Sequence, residues 1–251
     1  MMTQFPSEVC AVLTAAGSGS RLGCELPKAL VELSGRPLLW WAARGLRAGG
    51  VGMIVVTAPA SCIAEFSAAI DGLGDVLVVA GSDRSRQASV ALGLAALGDR
   101  GTDTVVLVHD AARPLTPPQV TARVIDAVRA GAGAVIPVLP VTDTLKTVDA
   151  SGLVTGTPRR ADMVAVQTPQ GFCWDVLTRA HEAGASLGAD EAVAATDDAG
   201  LVEAIGGAVH TVAGDERSLK VTRPLDLAIA RLLADQDELL GRRISQGGHR
   251  H

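Results

Sequence analysis

Short apolar runs rich in β-branched residues alternate along the chain with longer stretches whose apolar positions recur every three or four residues. The runs at 9–13, 53–57, 76–79, 104–108, 134–137 and 208–212 are too short for helices and read as buried strands. One helix begins at Pro37, passes through Leu38, Leu39, Trp40 and Trp41, and ends near Gly49 and Gly50. Proline suits the first turn of a helix and glycine the position past the last. Further helices fall at 173–183 and 190–205, and a final one runs through Leu225, Leu227, Ile229 and Leu232. Strands alternating with helices predict βαβ units, hence an α/β fold with a mainly parallel twisted sheet covered by helices.

The rhythm breaks at Leu139. Residues 141–148 and 153–157 alternate apolar and polar positions around the turn Asp149-Ala150-Ser151-Gly152, which predicts a β-hairpin. A lone hairpin is marginal in water, so this one should rest on a second copy of the chain. After Arg159 and Arg160 the segment Gln167-Thr168-Pro169-Gln170-Gly171 leads back to the main body, and residues 218–222 read as a last strand. Lys220 in that run is either a solvated charge or a phosphate ligand. The chain is therefore one domain over 7–240, with an arm inserted at about 139–163 and a disordered tail at 241–251.

Composition narrows the ligand chemistry. Of the 251 residues 48% are hydrophobic but only 2% aromatic, so the core is aliphatic, Trp40 and Trp41 belong to it, and stacking on aromatic rings is not the binding mode. The net charge is -5, with 22 basic and 27 acidic residues and no long basic run, which leaves no footprint for nucleic acid or a membrane surface. An anionic substrate must then be drawn by a local cluster of cations. Cys10, Cys24, Cys62 and Cys173 are too scattered for a zinc site or a disulfide framework, and point to a reduced, cytoplasmic setting. The start of the chain has no basic residues and only a short apolar run, so neither a signal peptide nor a membrane span is expected.

Candidate chemistry gathers at the ends of the strands. Ala15-Ala16-Gly17-Ser18-Gly19-Ser20-Arg21 follows the first strand, and Pro27-Lys28 lies just beyond. The carboxyl ends of strands are where open α/β sheets bind ligands. Gly17 and Gly19 permit positive φ and carry no side chain, so backbone N–H groups can turn toward a polyanion while Arg21 and Lys28 add charge. A dinucleotide fingerprint would need glycine or alanine at Leu22, and a Walker loop would need Gly-Lys-Ser/Thr where Pro27-Lys28-Ala29 stands. A nucleoside triphosphate held in some other way remains. Gly81-Ser82-Asp83-Arg84-Ser85-Arg86-Gln87-Ala88-Ser89-Val90 follows another strand, with Ser82 or Asp83 as the helix cap and the loop as a second wall of the crevice. Asp110, in His109-Asp110-Ala111-Ala112-Arg113-Pro114, either anchors Mg²⁺ against phosphate oxygens or pairs with Arg113 to shape the turn.

Taken with Asp143-Thr144-x-Lys146, Gln167-Thr168-Pro169-Gln170, Thr196-Asp197-Asp198-Ala199 and Lys220-Val221-Thr222-x-Pro224-x-Asp226, these motifs resemble, in order and over nearly the whole chain, the 2-C-methyl-D-erythritol 4-phosphate cytidylyltransferase family. The resemblance implies a Rossmann-like nucleotidyltransferase with helices on both sheet faces and a β-arm that makes a homodimer. It further implies that CTP and 2-C-methyl-D-erythritol 4-phosphate are joined with release of pyrophosphate, with Mg²⁺, in non-mevalonate isoprenoid synthesis. By resemblance Arg21 and Lys28 are catalytic. Ala15, Ala16, Gly17, Gly19, Gly81, Ser89, Asp110 and Ala111 bind the nucleotide, Asp110 also the metal. Arg113, Thr144, Arg160, Thr168 and Lys220 bind the sugar phosphate, Thr144 and Arg160 from the partner's arm, with Arg159 the rival of Arg160. Because the attacking group is an anionic phosphate, no general base and no covalent intermediate are required, and Cys24 is not a nucleophile. Three departures stand out: Ser82 and Asp83 occupy the place of paired glycines, and Ser218 the place of an asparagine. A sister activity on ribitol 5-phosphate and a nucleotide-binding protein without turnover are the alternative readings.

Overall fold

Strand β1 (Val9–Thr14) lies between β4 (Met53–Ala58) and β6 (Val105–Asp110), parallel to both. The structure, a computed structural model, describes residues 8–17, 26–186, 188 and 194–247. Along β1 the side chains alternate between two cores. Val9, Ala11 and Leu13 pack into one, with Leu39 and Leu46 of α1 (Leu38–Ala48), Phe66 of α2 (Ile63–Ala69) and Val124 of α4 (Pro118–Arg129). Cys10 and Val12 pack into the other, with Val90 and Leu94 of α3 (Arg86–Leu97), Leu177 of α5 (Trp174–Ala183) and Leu201 of α6 (Asp198–Ala204). A strand covered on both faces needs an unbroken apolar run, which is why its sequence is so easily read. The fold is thus α/β, with a mainly parallel sheet and helices on both faces.

Strand β5 (Val76–Ala80) closes one edge beside β4, and beyond β6 the sheet turns mixed. There β7 (Ala134–Pro140) carries β10 (Val164–Val166) and β11 (Gln170–Cys173) antiparallel, and β12 (His210–Ala213) parallel. Val135 pairs with both Gly171 and His210, and Val138 with both Val166 and Ala213, so β10 and β11 follow each other along one side of β7 while β12 takes the other. Between Val166 and Gly171 the four residues 167–170 span what only residues 136 and 137 span on β7. This bulge, which contains the cis peptide Thr168–Pro169, pushes side chains out toward the end of β6.

Several elements differ from the sequence reading. Residues 218–222 form no strand: a 3-10 turn, Glu216–Ser218, leads into a segment tied to the sheet side by the Val221 N–H to the Ala112 carbonyl at 2.8 Å. Asp226 Oδ2 accepts from the Thr222 N–H, the Thr222 hydroxyl and the Arg223 N–H, which starts α7 (Pro224–Gly247) instead of extending a ladder. The helix expected at 190–205 begins at Asp198, capped by Asp197, and 189–193 lie outside the described residues. Pro37 ends β3 (Arg36–Pro37), which pairs with β2 (Glu32–Leu33), so α1 starts one residue later. The arm leaves the sheet after Pro140 and returns at Val164, and its paired strands, β8 (Thr147–Val148) and β9 (Val154–Gly156), are shorter than the pattern suggests. Trp41 packs partly into the cluster under α7, whereas Trp40 lies half-buried beneath Arg36 and Arg44.

Helix α3 approaches the sheet closely at Gly93. A Cβ there would lie 2.5 Å from Val12 Cγ1 and 3.2 Å from Thr57 Cγ2. Alanine gains about 1 kcal/mol over glycine in helix propensity, but overpacking costs about 1–3 kcal/mol. Gly93→Ala is therefore expected to lower the urea-unfolding free energy, and an unchanged or raised value would mean that α3 can back away from β1.

Candidate active site

At the carboxyl ends of β1, β4 and β6 the parallel ladder continues into the loops. The Ala15 N–H donates to the Thr57 carbonyl at 2.9 Å, the Ala111 N–H to Thr14 at 3.0 Å, and the Gly81 N–H to Ala58 at 2.7 Å. These bonds set the floor of a cleft of about 520 Å³. Ala15, Ala16, Gly17, Lys28, Ser89, Asp110, Ala111 and Lys220 of the expected set line it, together with Ser82 to Arg86 and Thr222. Gly81 lies directly beneath: a Cβ on it would come within 2.9 Å of Ala16. Gly19 and Arg21 lie outside the described residues, as does Cys24. Lys28 stands on the 3-10 turn Lys28–Leu30 that Pro27 introduces.

Two of the expected turn geometries are corrected. Gly17 does not take up a positive φ, and among the described residues a Cβ there would meet nothing within 4 Å. Helix α3 is capped not by Ser82 or Asp83 but by Ser85, whose hydroxyl oxygen accepts the Ala88 N–H at 3.0 Å. Ser89 in turn accepts the Ser82 N–H at 3.0 Å, and so fixes the loop as well as lining the cleft.

The charges centre on Asp110. Its Oδ1 accepts from Arg86 Nε at 3.1 Å and from the Thr14 hydroxyl at 3.1 Å, and Oδ2 faces Lys220 Nζ at 2.7 Å. Burial opposes the charge on Asp110, but Arg86, Lys220 and Arg113 outweigh it and hold the carboxyl far below the usual carboxylate range. Burial likewise opposes the Arg86 charge, which Asp198 and Asp110 restore, so its pKa stands above that of a free guanidinium. The cleft is a set of cations organised by buried carboxylates.

Thr168 and Arg113 sit behind this wall. The Thr168 hydroxyl accepts the Asp110 N–H at 3.1 Å and lies 2.8 Å from Nδ1 of His109, whose Nε2 is 3.3 Å from the Arg113 carbonyl. A carbonyl only accepts, so Nε2 carries the proton and Nδ1 accepts from Thr168. Arg113 gives Nη1 to the Ser218 carbonyl at 2.6 Å and Nη2 to that of Val166 at 3.2 Å; it does not pair with Asp110 and does not line the cleft. Thr144 and Arg160 are exposed on the arm, away from the cleft of their own chain, and Arg160 Nη1 donates to the Thr142 carbonyl at 2.9 Å. Arg159 pairs with Asp162 at 3.6 Å. Sequence reasoning gave no role to Arg86 or to Asp198, although both lie in motifs it singled out; a buried ion pair between residues 112 apart has no sequence signature.

Known proteins resemble the chain over most of its length. A family model described as 2-C-methyl-D-erythritol 4-phosphate cytidylyltransferase matches residues 9–236. A protein of that name from Rhodococcus jostii (strain RHA1) is 48% identical over 236 residues, covering 94% of this chain and 99% of its own. One from Nocardia farcinica (strain IFM 10152) is 49% identical over 229 residues, 91% and 94% of the two chains. The crystal structure of such an enzyme from Thermus thermophilus superposes with a TM-score of 0.74 at 36% identity, over 91% of this chain and 99% of that one.

His109 is 1% exposed, and burial, joined by Arg113 and Arg86 against the favourable Asp110, lowers its pKa to about 4. An unfolded histidine titrates near 6.5, so between these values the unfolded chain binds the extra proton. Stability is thus full above pH 6.5 and falls by roughly 3 kcal/mol as the pH drops to about 4. Urea unfolding across this window should show that loss in the natural protein and a flatter profile in His109→Gln; equal slopes would rule out the buried neutral imidazole.

Proposed function

Because the chain belongs to the 2-C-methyl-D-erythritol 4-phosphate cytidylyltransferase family, we propose that its cleft joins CTP to 2-C-methyl-D-erythritol 4-phosphate and releases pyrophosphate. The observation that carries this reading is the cleft itself. Lys28 and Lys220 both line it at the carboxyl ends of the strands, together with Ala15, Ala16 and Gly17. An oxygen of the sugar phosphate attacks the α-phosphorus of CTP, the bond to the bridging oxygen breaks, and pyrophosphate leaves with its electron pair. The attacking oxygen is already anionic, so the residues need only align the two phosphates and offset the charge that builds between them.

In this reading Lys28, with Arg21, meets the charge on the α-phosphate, and Ala15, Ala16, Gly17, Gly19, Gly81, Ser89 and Ala111 shape the nucleotide subsite. Lys220 leaves Asp110 for the sugar phosphate. Arg113 and Thr168 serve the same subsite indirectly, by holding the Ser218 and Val166 carbonyls and the Asp110 backbone. Mg²⁺ fits on the donor chemistry of Asp110. Oδ1 is filled by two donors, whereas Oδ2 has one cationic partner and a remaining lone pair. No cluster of three acidic, histidine or cysteine ligands is present among the described residues, so phosphate oxygens would supply the rest of the shell. Such an ion would neutralise the triphosphate. Arm residues Thr144 and Arg160 would reach a partner's cleft in a homodimer; Leu153, Val154 and Val148, each more than half exposed, are apolar surface for that contact. No helix among the described residues is long and apolar enough to cross a membrane. The free thiols of Cys10, Cys62 and Cys173 suit a cytoplasmic setting.

Pyrophosphate release with CTP and Mg²⁺ should be far faster with 2-C-methyl-D-erythritol 4-phosphate than with ribitol 5-phosphate at equal concentration. The reverse preference would keep the chemistry and change the substrate, and silence with both would refute turnover. Lys28→Ala should lower kcat by about 10²–10³ while CTP affinity changes only a few-fold. Equal losses in both would remove its role in the transition state. If arms are shared, mixing Lys28→Ala with Arg160→Ala subunits should restore about a quarter of natural activity, since each heterodimer has one intact site and half the dimers are mixed. An inactive mixture would place each site within one chain.

A further inference from the structure

Arg86 is held from behind as well as from the cleft. Its Nη1 lies 2.7 Å from Asp198 Oδ2 while its Nε lies 3.1 Å from Asp110 Oδ1. Asp198 is 1% exposed, and its other oxygen, Oδ1, accepts from Nε2 of the buried His181 at 2.9 Å. The backbone of Asp198 is pinned too. Its N–H and that of Ala199 both donate to Oε1 of Gln170, at 3.1 Å each, and Gln170 Nε2 donates to Asp197 at 2.8 Å. A side chain fixed at both oxygens and a backbone fixed at the same residue leave Asp198 a single position. From there it draws the guanidinium away from the cleft.

We propose that Asp198, backed by His181, is a positioning residue for the nucleotide end of the cleft: it divides Arg86 between two carboxylates, so that Asp110 meets this cation through one oxygen only. A guanidinium facing a single carboxylate closes on it as a fork and takes both oxygens. With Asp198 in place the fork is split, and Asp110 Oδ2 stays with Lys220 and open toward the cleft. The charge count supports the same role. Arg86, Lys220 and Arg113 face Asp110 and Asp198; without the Asp198 carboxylate the cluster loses one of its two negative charges, and Arg86 turns onto Asp110. The proposal rests on the cleft being the nucleotide site. Asp198 touches no substrate in this scheme and acts through Arg86.

The test is equilibrium binding of CTP in the presence of Mg²⁺ to four full-length proteins: natural, Asp198→Asn, Arg86→Ala and the double variant. This readout needs no sugar phosphate and no turnover. If the natural protein binds CTP but releases no pyrophosphate once 2-C-methyl-D-erythritol 4-phosphate is added in a separate assay, the assigned reaction fails while the positioning role is still tested. Asp198→Asn is expected to weaken CTP binding about tenfold, and to add less than twofold in the Arg86→Ala background. A loss in the double variant equal to the product of the two single losses would overturn the proposal. So would a folded Asp198→Asn protein that binds CTP as the natural one does and differs only in melting temperature, as a purely structural residue would. Should Asp198→Asn not fold, His181→Ala takes its place in the same cycle. A loss of about threefold that disappears beside Arg86→Ala is expected, and one that persists there would overturn the role.

Discussion

A carboxylate leaves water only if cations come with it, and Asp110 is 7% exposed at the end of a strand buried on both faces. Everything around it follows from that constraint. Arg86 arrives at the first turn of α3 and Lys220 on the segment before α7, while Thr14 adds a hydroxyl from the neighbouring strand. Residues 14, 86, 110 and 220 are brought together only when the sheet, its crossover helices and the C-terminal helix have all packed. The arrangement of charge in the cleft is therefore a property of the whole fold. In water these same ion pairs would be worth about 1 kcal/mol or less; around a buried carboxylate they fix positions.

How much of this was legible depends on how local the cause is. β1, β4 and β6 announce themselves because a strand covered on both faces must be apolar at every position, and Gly17 and Lys28 could be placed at the cleft because both follow the end of such a strand. Lys220 was legible as a charge but misplaced in a strand, since the β-branched look of Val221-Thr222 conceals a cap for α7 in which Asp226 collects three donors. β10 and β11 escaped notice for the opposite reason. They are one strand broken by a bulge, and three residues such as Val164–Val166 carry too little periodicity to signal anything. Arg113 was assigned to the sugar phosphate by resemblance alone; in the structure its Nη1 and Nη2 meet the Ser218 and Val166 carbonyls, which no sequence pattern could locate.

The polar part of the interior shows how a histidine can serve without titrating near neutral pH. His109 is flanked by Asp110, which favours its charge, and by Arg113 and Arg86, which oppose it along with burial. The result is a neutral ring that accepts from Thr168 and donates toward Arg113, passing one orientation from the bulge to the turn after β6. Removing a partner from such a chain leaves a buried donor or acceptor unpaired, so its members depend on one another.

The arm departs from the sheet at Pro140 and rejoins it at Val164, and these two residues are direct cross-strand partners. Excursion and return thus meet at one point, as in an inserted loop closed by its own stem. Nothing in the ladder depends on how many residues lie between them. The stem fixes where the arm leaves and returns without fixing its length, and a change in the number of residues between Pro140 and Val164 would leave the register of the stem and of the bulge beside it as it is.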